Sequence, residues 1–331
     1  MTSADGPIPC AVEEIDGGIE DDCELSISCN NQRFQVLLSR NQLPDSSVTG
    51  SLLRKLDTAV ESRDDLEMDA IHEEIGDIVC EACQPIFRQL APVTDRGTQQ
   101  VDLQTYMNPQ ITYLQLVIDA GKAKVVKRDD GAKSLSPPHY GSEITDQTLP
   151  RFFPPEIQVL EEFRRNAILK VRVGGEDRCC KLAVIQTRSA VEREFACLKA
   201  ASDSGLPLSA RVPRLVGLVQ SDSDTIIGIL EEYIEPSSEA PTLEHFDIGG
   251  IAMIRRKKWA DQIQKTVKML HGVGVVWGDG KAGNVIVDTS DDAWVIDFGG
   301  SWTDGWVDEG LAGTVQGDEQ ALGKIDKFLD V

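Results

Sequence analysis

A short stretch toward the C-terminus combines carboxylate and amide side chains in an order that could support chemistry. Residues 277–301 read WGDGKAGNVIVDTSDDAWVIDFGGS and include Asp279, Asn284 and Asp297. The runs NVIVD and AWVID flank the turn residues TSDD, and this pattern predicts a two-strand hairpin. The hairpin would deliver the two carboxylates and the amide to the ends of short neighbouring strands, where they can converge.

These side chains fit a site for a divalent metal ion and a polyphosphate. Magnesium prefers oxygen ligands and takes few of them from protein, so the Asp297 carboxylate and the Asn284 amide oxygen would suffice. Asp279 would then orient and deprotonate a hydroxyl nucleophile. The alternative is that all three residues only form turns and end strands, positions that Asp and Asn favour. Their joint spacing favours the site.

The stretch resembles the catalytic and metal-binding loops of the protein-kinase-like superfamily, whose pattern is Asp, four residues, Asn and later Asp-Phe-Gly. It is most similar to the short kinase-like proteins of filamentous fungi, and the resemblance covers residues 155–331. It implies ATP and Mg²⁺ as cofactors and transfer of a phosphoryl group to a hydroxyl acceptor. Asp279 and Lys281 would be catalytic, and Asn284 and Asp297 would be metal ligands.

The resemblance also implies nucleotide-binding residues upstream of this stretch. Lys181 matches the strand lysine that contacts the nucleotide phosphates, and Glu194 matches the helix glutamate that pairs with that lysine. Glu192 is the alternative partner, because one sequence does not determine the phase of the helix. The segment ILEEYI matches the hinge that presents main-chain groups to adenine, which assigns this role to Glu231, Glu232 and Tyr233.

Several features complete or depart from the family pattern. Asp318 resembles the buried helix aspartate that braces the catalytic loop, and His271 is interpreted as structural. The family's Gly-x-Gly is missing from EEFRRNAILKV, Trp277-Gly278 replaces His-Arg, and no Ala-Pro-Glu follows Asp297. These departures keep a second hypothesis open, a pseudokinase that binds a nucleotide or nothing and serves as an interaction module for a protein partner.

The elements around these residues predict an α+β fold class. Taken with the resemblance, they imply a two-lobed protein-kinase-like fold with an N-lobe at 155–235 and a truncated C-lobe at 236–331. Five strands and one helix make the expected N-lobe, and a long amphipathic helix opens the C-lobe. The strands are expected at 157–163, 168–173, 179–185, 214–220 and 225–234, and the helices at 189–202 and 251–271.

The first half of the chain is predicted to form a separate small α+β region of unknown role at 25–135, followed by a linker at 136–154. Residues 1–24 are acidic, lack basic side chains and are expected to be a disordered arm. A hairpin at 25–39, helices at 51–61 and 66–90 and a strand from residue 111 are predicted, with Pro85 kinking or dividing the second helix.

Cys80 and Cys83 form a Cys-x-x-Cys pair in that second helix. Such a pair can be redox-active or half of a zinc site, and a metal or redox protein is the third hypothesis. No second pair follows at ligand spacing, so structural thiols are the favoured interpretation.

Composition restricts the partners. The chain of 331 residues has 33 Lys+Arg and 55 Asp+Glu, a formal net charge of −22, which argues against binding to nucleic acid or to an anionic membrane surface. No secretory leader or membrane-spanning run is evident. Eight dispersed cysteines fit reduced thiols, so an intracellular and cytoplasmic location is expected.

Overall fold

The structure is a computed structural model with an α+β fold. It divides into two compact units, one of Met1–Gln100 with Thr105–Pro137 and one of Val101–Gln104 with Pro138–Val331. Positions 1–5, 18 and 136–139 of the predicted arm and linker lie outside the described residues. The structure describes residues 6–17, 19–30, 32–92, 101–128, 140–207, 209–300 and 302–331.

Strands and helices are numbered in chain order. The strands are β1 (Ala11–Asp16), β2 (Cys23–Cys29), β3 (Gln32–Leu38), β4 (Val101–Asp102), β5 (Ile111–Asp119), β6 (Lys122–Lys127), β7 (Arg151–Phe152), β8 (Gln158–Arg164), β9 (Ile168–Val173), β10 (Glu176–Leu182), β11 (Leu215–Gln220), β12 (Ile226–Glu232), β13 (Val285–Val287) and β14 (Ala293–Val295). The α-helices are α1 (Val48–Ser62), α2 (Asp65–Leu90), α3 (Leu103–Met107), α4 (Arg188–Asp203), α5 (Met253–Gly272) and α6 (Val315–Leu329).

The first unit is built on a five-stranded sheet in the order β1-β2-β3-β5-β6. All neighbours are antiparallel except β3 and β5, which run parallel and are joined through α1 and α2. Alternate residues of β2 are buried, as expected when one face of a sheet packs on a core. The apolar stripes of α1 and α2 share that core with the sheet.

Part of the predicted acidic arm is ordered, because residues 11–16 form β1. Val12 and Ile15 pair with β2 and pack against the core, while Glu14 and Asp16 of this edge strand are exposed. The preceding residues are also held: Gln84 of α2 accepts a hydrogen bond from the Ile8 N–H at 2.8 Å and donates one to the Ile8 carbonyl at 3.0 Å. The pairing and packing of two apolar residues therefore order this segment despite its acidic composition.

Pro85 does not divide the second predicted helix. Helix α2 is continuous over Asp65–Leu90, and Pro85 lies on its exposed side. Cys83 and Phe87, on either side of it in sequence, are fully buried in the core. Burial of the apolar stripe thus keeps the helix continuous despite the lost main-chain donor.

The second unit contains a seven-stranded sheet in the order β4-β8-β9-β10-β12-β11-β7. The five predicted strands are all present as β8 to β12, and they pair antiparallel. Two short strands that were not predicted, β4 and β7, extend the edges. Strand β7 comes from the predicted linker, and Gly217 permits its approach, because a side chain there would collide with the ring of Phe152.

The rest of the second unit is mainly helical. Helix α4 has its buried side chains on one stripe, and α5 packs on α6 and on the β13-β14 hairpin. Trp259, Trp277 and Phe298 are fully buried in the core formed by these elements. Among the described residues, no helix has both the length and the apolar character that crossing a membrane requires.

Phe87→Ala is expected to lower the free energy of unfolding by about 3–5 kcal/mol, the usual cost of removing a buried aromatic ring. Phe87 is fully buried, and its ring lies 4.9 Å from that of Phe34, centroid to centroid. Urea denaturation followed by circular dichroism measures the change. The exposed neighbour provides the control, since Arg88→Ala should shift stability by no more than about 0.5 kcal/mol. Equal midpoints for the two variants would contradict this account of the core.

Candidate functional site

A buried aspartate on α6 holds the start of the candidate site. Asp318 is 1% exposed, and its Oδ1 accepts a hydrogen bond from the Gly278 N–H at 2.8 Å. Its Oδ2 accepts one from the Trp277 N–H at 2.8 Å and contacts Nε2 of His271 at 2.7 Å. Asp318 therefore ties the segment before Asp279 to both α5 and α6.

Three of the predicted site residues meet around the Asp279 carboxylate. Lys281 Nζ donates to Asp279 Oδ2 at 2.9 Å, and Asn284 Nδ2 donates to the Asp279 main-chain oxygen at 2.8 Å. Thr303, which the sequence analysis missed, donates to Asp279 Oδ1 at 2.8 Å and accepts from Lys281 Nζ at 2.8 Å. The carboxylate is 5% exposed, so its orientation is defined by these bonds.

The hairpin brings Asn284 and Asp297 to one end. Val285 pairs with Val295, and the Ile296 N–H donates to the Asn284 carbonyl at 3.0 Å, so Asp297 lies directly after the paired residues. The amide nitrogen of Asn284 faces Asp279, which makes its Oδ1 the atom available for a metal ion. Asp297 adopts a left-handed conformation with a φ of 61°, and the Gly299 N–H donates to its carboxylate at 3.3 Å.

The donor set suits magnesium better than zinc. One carboxylate and one amide oxygen at the same hairpin end match the few protein ligands that magnesium requires. In the part of the chain that the structure describes, no group of three or more His, Cys, Asp or Glu side chains could hold a metal ion.

Lys181 and Glu194 form a buried ion pair between β10 and α4. Lys181 Nζ lies 2.6 Å from each carboxylate oxygen of Glu194. Glu194 also accepts a hydrogen bond from the Phe298 N–H at 3.2 Å, which links the pair to the segment after Asp297. Glu192, the alternative partner, instead accepts from the Glu143 N–H at 2.8 Å. Glu194 is therefore the partner of Lys181.

The structure differs from the sequence expectation at Glu231 and Glu232. Strand β12 continues through both residues: Glu231 pairs with Cys179 and Leu215 in the sheet, and the Glu232 N–H donates to the Arg214 carbonyl at 2.8 Å. Their main chains therefore take part in sheet pairing and do not form a free hinge. The strand was expected to run from 225 to 234, and it ends at Glu232.

The side chain of Glu231 faces the buried ion pair instead. It is 2% exposed, and its Oε1 lies 3.0 Å from Lys181 Nζ. Tyr233, the third predicted hinge residue, follows β12 and lies parallel to the ring of Phe163 at a centroid distance of 6.1 Å. Lys170 Nζ lies 4.1 Å from the centre of the Tyr233 ring.

Two carboxylates and one ammonium share this interior site, and their pKa values respond to one another. Burial raises the pKa of Glu194 to about 8, with a further contribution from Glu231 and partial compensation by Lys181. Burial likewise raises the pKa of Glu231. For Lys181, burial favours the neutral amine, but the Glu194 and Glu231 carboxylates outweigh it and hold the pKa well above its usual value.

Glycines make room for a second residue that sequence reasoning missed, Arg193. Its guanidinium donates to the Gly300 carbonyl and occupies the space beside Gly278, where a Cβ atom would collide with it. Gly278 has a φ of +89°, which also favours glycine. A Cβ atom at Gly300 would collide with the Asp279 carboxylate. The glycines of this stretch therefore permit close packing around Asp279.

The Cys80–Cys83 pair lies in the first unit, apart from these residues in the chain. All eight cysteines are free. Burial raises the pKa of Cys83 to about 12 and also raises that of Cys80, which opposes the thiolate form that metal binding and redox exchange require. These observations favour the structural interpretation of both thiols.

Comparison with known proteins adds no assignment. No family model matches the chain, and no curated protein matches it.

Asp318→Ala is expected to lower the free energy of unfolding by about 3–5 kcal/mol, because it leaves buried main-chain N–H groups and His271 without their partner. Tryptophan fluorescence during urea denaturation measures the loss, since Trp277 lies beside Asp318. Glu319→Ala, at the exposed neighbouring position, should leave the midpoint near that of the wild type. A small effect of Asp318→Ala would show that the loop is held by other contacts.

Glu194→Gln is expected to weaken the pH dependence of stability. The folded chain binds the Glu194 proton more tightly than the unfolded chain, so this contribution is fully present below about pH 4.5 and is lost as the pH rises to about 8. Free energies of unfolding measured across that interval should fall less steeply in the variant. Glu192→Gln, on the same helix, should retain the wild-type slope. Identical slopes for all three proteins would contradict the assignment.

Proposed function

We propose that the chain is an ATP-dependent phosphotransferase of protein-kinase-like fold, which moves the γ-phosphoryl group of Mg-ATP to a hydroxyl acceptor. The observation that carries the proposal is the cluster around Asp279, in which Lys281 and Asn284 meet the carboxylate. Asp297 at the adjacent hairpin end and the separate Lys181–Glu194 pair support it, because phosphoryl transfer needs positioned metal ligands and a positioned lysine together.

The proposed roles follow from the contacts. Asp279, oriented by Thr303 and Lys281, accepts the proton of the acceptor hydroxyl as its oxygen bonds to the γ-phosphorus. The bond from that phosphorus to the β-phosphate oxygen breaks, and ADP leaves. Asn284 and Asp297 would hold magnesium, which supplies positive charge to the phosphates when bound. Lys281 adds a positive charge beside Asp279, which suits charge stabilisation of the transferred group.

The fold supports the same proposal. The β8–β12 strands with α4 correspond to the N-lobe expected at 155–235, and α5, the β13-β14 hairpin and α6 correspond to the short C-lobe expected at 236–331. Lys181 on β10 and Glu194 on α4 pair across that N-lobe, and Asp318 on α6 braces the loop before Asp279. The first unit stays without a proposed role.

The second candidate function is a pseudokinase that acts as an interaction module. One observation favours it: β8 and β9 are joined by a tight turn without the glycine-rich segment, and the Ala167 N–H closes that turn on the Arg164 carbonyl at 3.0 Å. A module of this kind would bind a protein partner without turning over ATP.

The proposed partners are ATP and a hydroxyl-bearing acceptor, with neither nucleic acid nor membrane among them. The net charge of −22 supports the exclusion of polyanions. The eight free cysteines fit a reducing compartment, which supports the cytoplasmic location expected from the sequence.

Calorimetric titration of the full chain with ATP and Mg²⁺, together with an assay of ATP turnover, tests the proposal. The wild type should bind ATP in a magnesium-dependent manner, and Asp297→Ala should lose at least about tenfold in affinity, equivalent to about 1.4 kcal/mol. Asp222→Ala, which removes an exposed carboxylate from the β11-β12 turn, is the control and should bind as the wild type does.

The turnover assay separates the two candidate functions. Binding with slow ATP hydrolysis, lost in Asp279→Asn while binding persists, supports the phosphotransferase. Binding without turnover under any condition supports the pseudokinase. A wild-type chain that does not bind ATP, while Asp297→Ala behaves identically, would remove the catalytic proposal.

A further inference from the structure

The buried ion pair at Lys181 contains one carboxylate more than charge balance requires. Glu194 holds Nζ with both oxygens at 2.6 Å, and Glu231 adds a third oxygen at 3.0 Å from the neighbouring strand. Both glutamates are 2% exposed, so water does little to screen them from each other. The Asp297 carboxylate contributes further negative potential at Lys181. One ammonium therefore faces two buried carboxyl groups at close range and the potential of a third.

Glu231 is the weaker of the two partners of Lys181. Its contact with Nζ, at 3.0 Å, is longer than the Glu194 contacts and does not have hydrogen-bond geometry, and the neighbouring Cys179 thiol is the other group that favours its charged form. Glu194, by contrast, accepts two hydrogen bonds from Lys181 and one from the Phe298 N–H. A buried carboxylate held by such weak contacts is costly, so Glu231 contributes little to stability through its contact with Lys181.

The position of Glu231 matters for any phosphate that approaches Lys181. An ammonium has three N–H groups, and in this site carboxylate oxygens already surround it. A phosphate oxygen must therefore displace one of these contacts, and the contact without hydrogen-bond geometry yields first. Until it does, the carboxylate repels the phosphate across a short distance in a poorly screened interior.

We propose that Glu231 competes with the phosphates of a bound nucleotide for Lys181 and thereby restrains nucleotide binding. The inference rests on the proposed function, because it takes Lys181 as the phosphate contact. Glu231 acts through Lys181 and sets affinity; it is not a catalytic residue. The rise in the pKa of Glu231 on burial agrees with a carboxylate whose charge is incompletely compensated.

Glu231→Gln removes the charge with little change in shape and should bind Mg-ATP about tenfold more tightly than the wild type, within the range of coupling between residues of one ion-pair network. Asp222→Asn is the matched control, because it makes the same charge change at an exposed position in the β11-β12 turn of the same sheet, and it should bind as the wild type does. Calorimetric titration with ATP and Mg²⁺ measures all three affinities.

A double-mutant cycle tests whether the gain passes through Lys181. In a Lys181→Met background, Glu231→Gln should change the affinity by less than about twofold, since the contested ammonium is gone. Glu231→Met is the second variant in case Gln packs poorly, and circular dichroism establishes that each variant is folded. Tighter binding by either neutral variant supports the inference.

The outcomes separate the inference from the proposed function. Wild-type binding with equal or weaker binding by both Glu231 variants overturns the inference and leaves the proposed function standing. Binding by Glu231→Gln alone, with none by the wild type, supports the restraint by Glu231 and removes the catalytic proposal for the wild-type chain. Absence of binding in every variant overturns both.

Discussion

The geometry of the candidate site depends on the buried carboxylate of Asp318. It accepts hydrogen bonds from two consecutive main-chain N–H groups, those of Trp277 and Gly278, and contacts His271. A carboxylate that accepts several hydrogen bonds can remain buried without a full counter-charge. These bonds tie the segment that carries Asp279 to two helices. The orientation of Asp279 is a consequence of this arrangement rather than of its own neighbours alone.

Glu194 connects the segment after Asp297 to the sheet. Its carboxylate accepts hydrogen bonds from Lys181 on β10 and from the Phe298 N–H after Asp297. One residue of α4 therefore contacts both the strand and the segment that follows the hairpin. Arg193, the preceding residue, reaches Gly300 from the same helix. Helix α4 therefore contacts Lys181 and the segment after Asp297 through adjacent side chains. A shift of this helix would change the position of Lys181 and the Asp297 segment together, which makes α4 the element that couples the two.

Much of this arrangement could be predicted from the sequence where local pattern determines structure. The five strands β8 to β12 and helix α4 follow from β-enriched runs, turn residues and one apolar stripe, all of which are local signals. The two-residue strands β4 and β7 carry no periodicity and could not be recognised. Strand β1 was missed because acidic composition masked Val12 and Ile15, whose effect depends on pairing with β2.

The site residues also divide into those that a local sequence pattern predicts and those that it does not predict. Asp279, Lys281 and Asn284 lie within six consecutive residues, and their proximity is nearly built into the chain. Arg193 and Gly300 are 107 positions apart, and no local pattern predicts their contact. The contact of Glu231 with Lys181 joins two different strands, and no local pattern predicts it. Long-range contacts are therefore where the sequence analysis failed.

The parallel pairing of β3 with β5 has a consequence for synthesis of the chain on the ribosome. Strands β1, β2 and β3 are consecutive and can pair as they emerge, but the second edge of β3 receives its partner only after α1 and α2 have been made. Until then, one edge of the nascent β3 strand has unpaired main-chain groups. Its residues Phe34 and Val36, which are buried in the folded protein, have not yet been covered. An unpaired strand edge of this kind can pair with a strand of another chain. The first unit is therefore most vulnerable to misassembly before Ile111 leaves the exit tunnel.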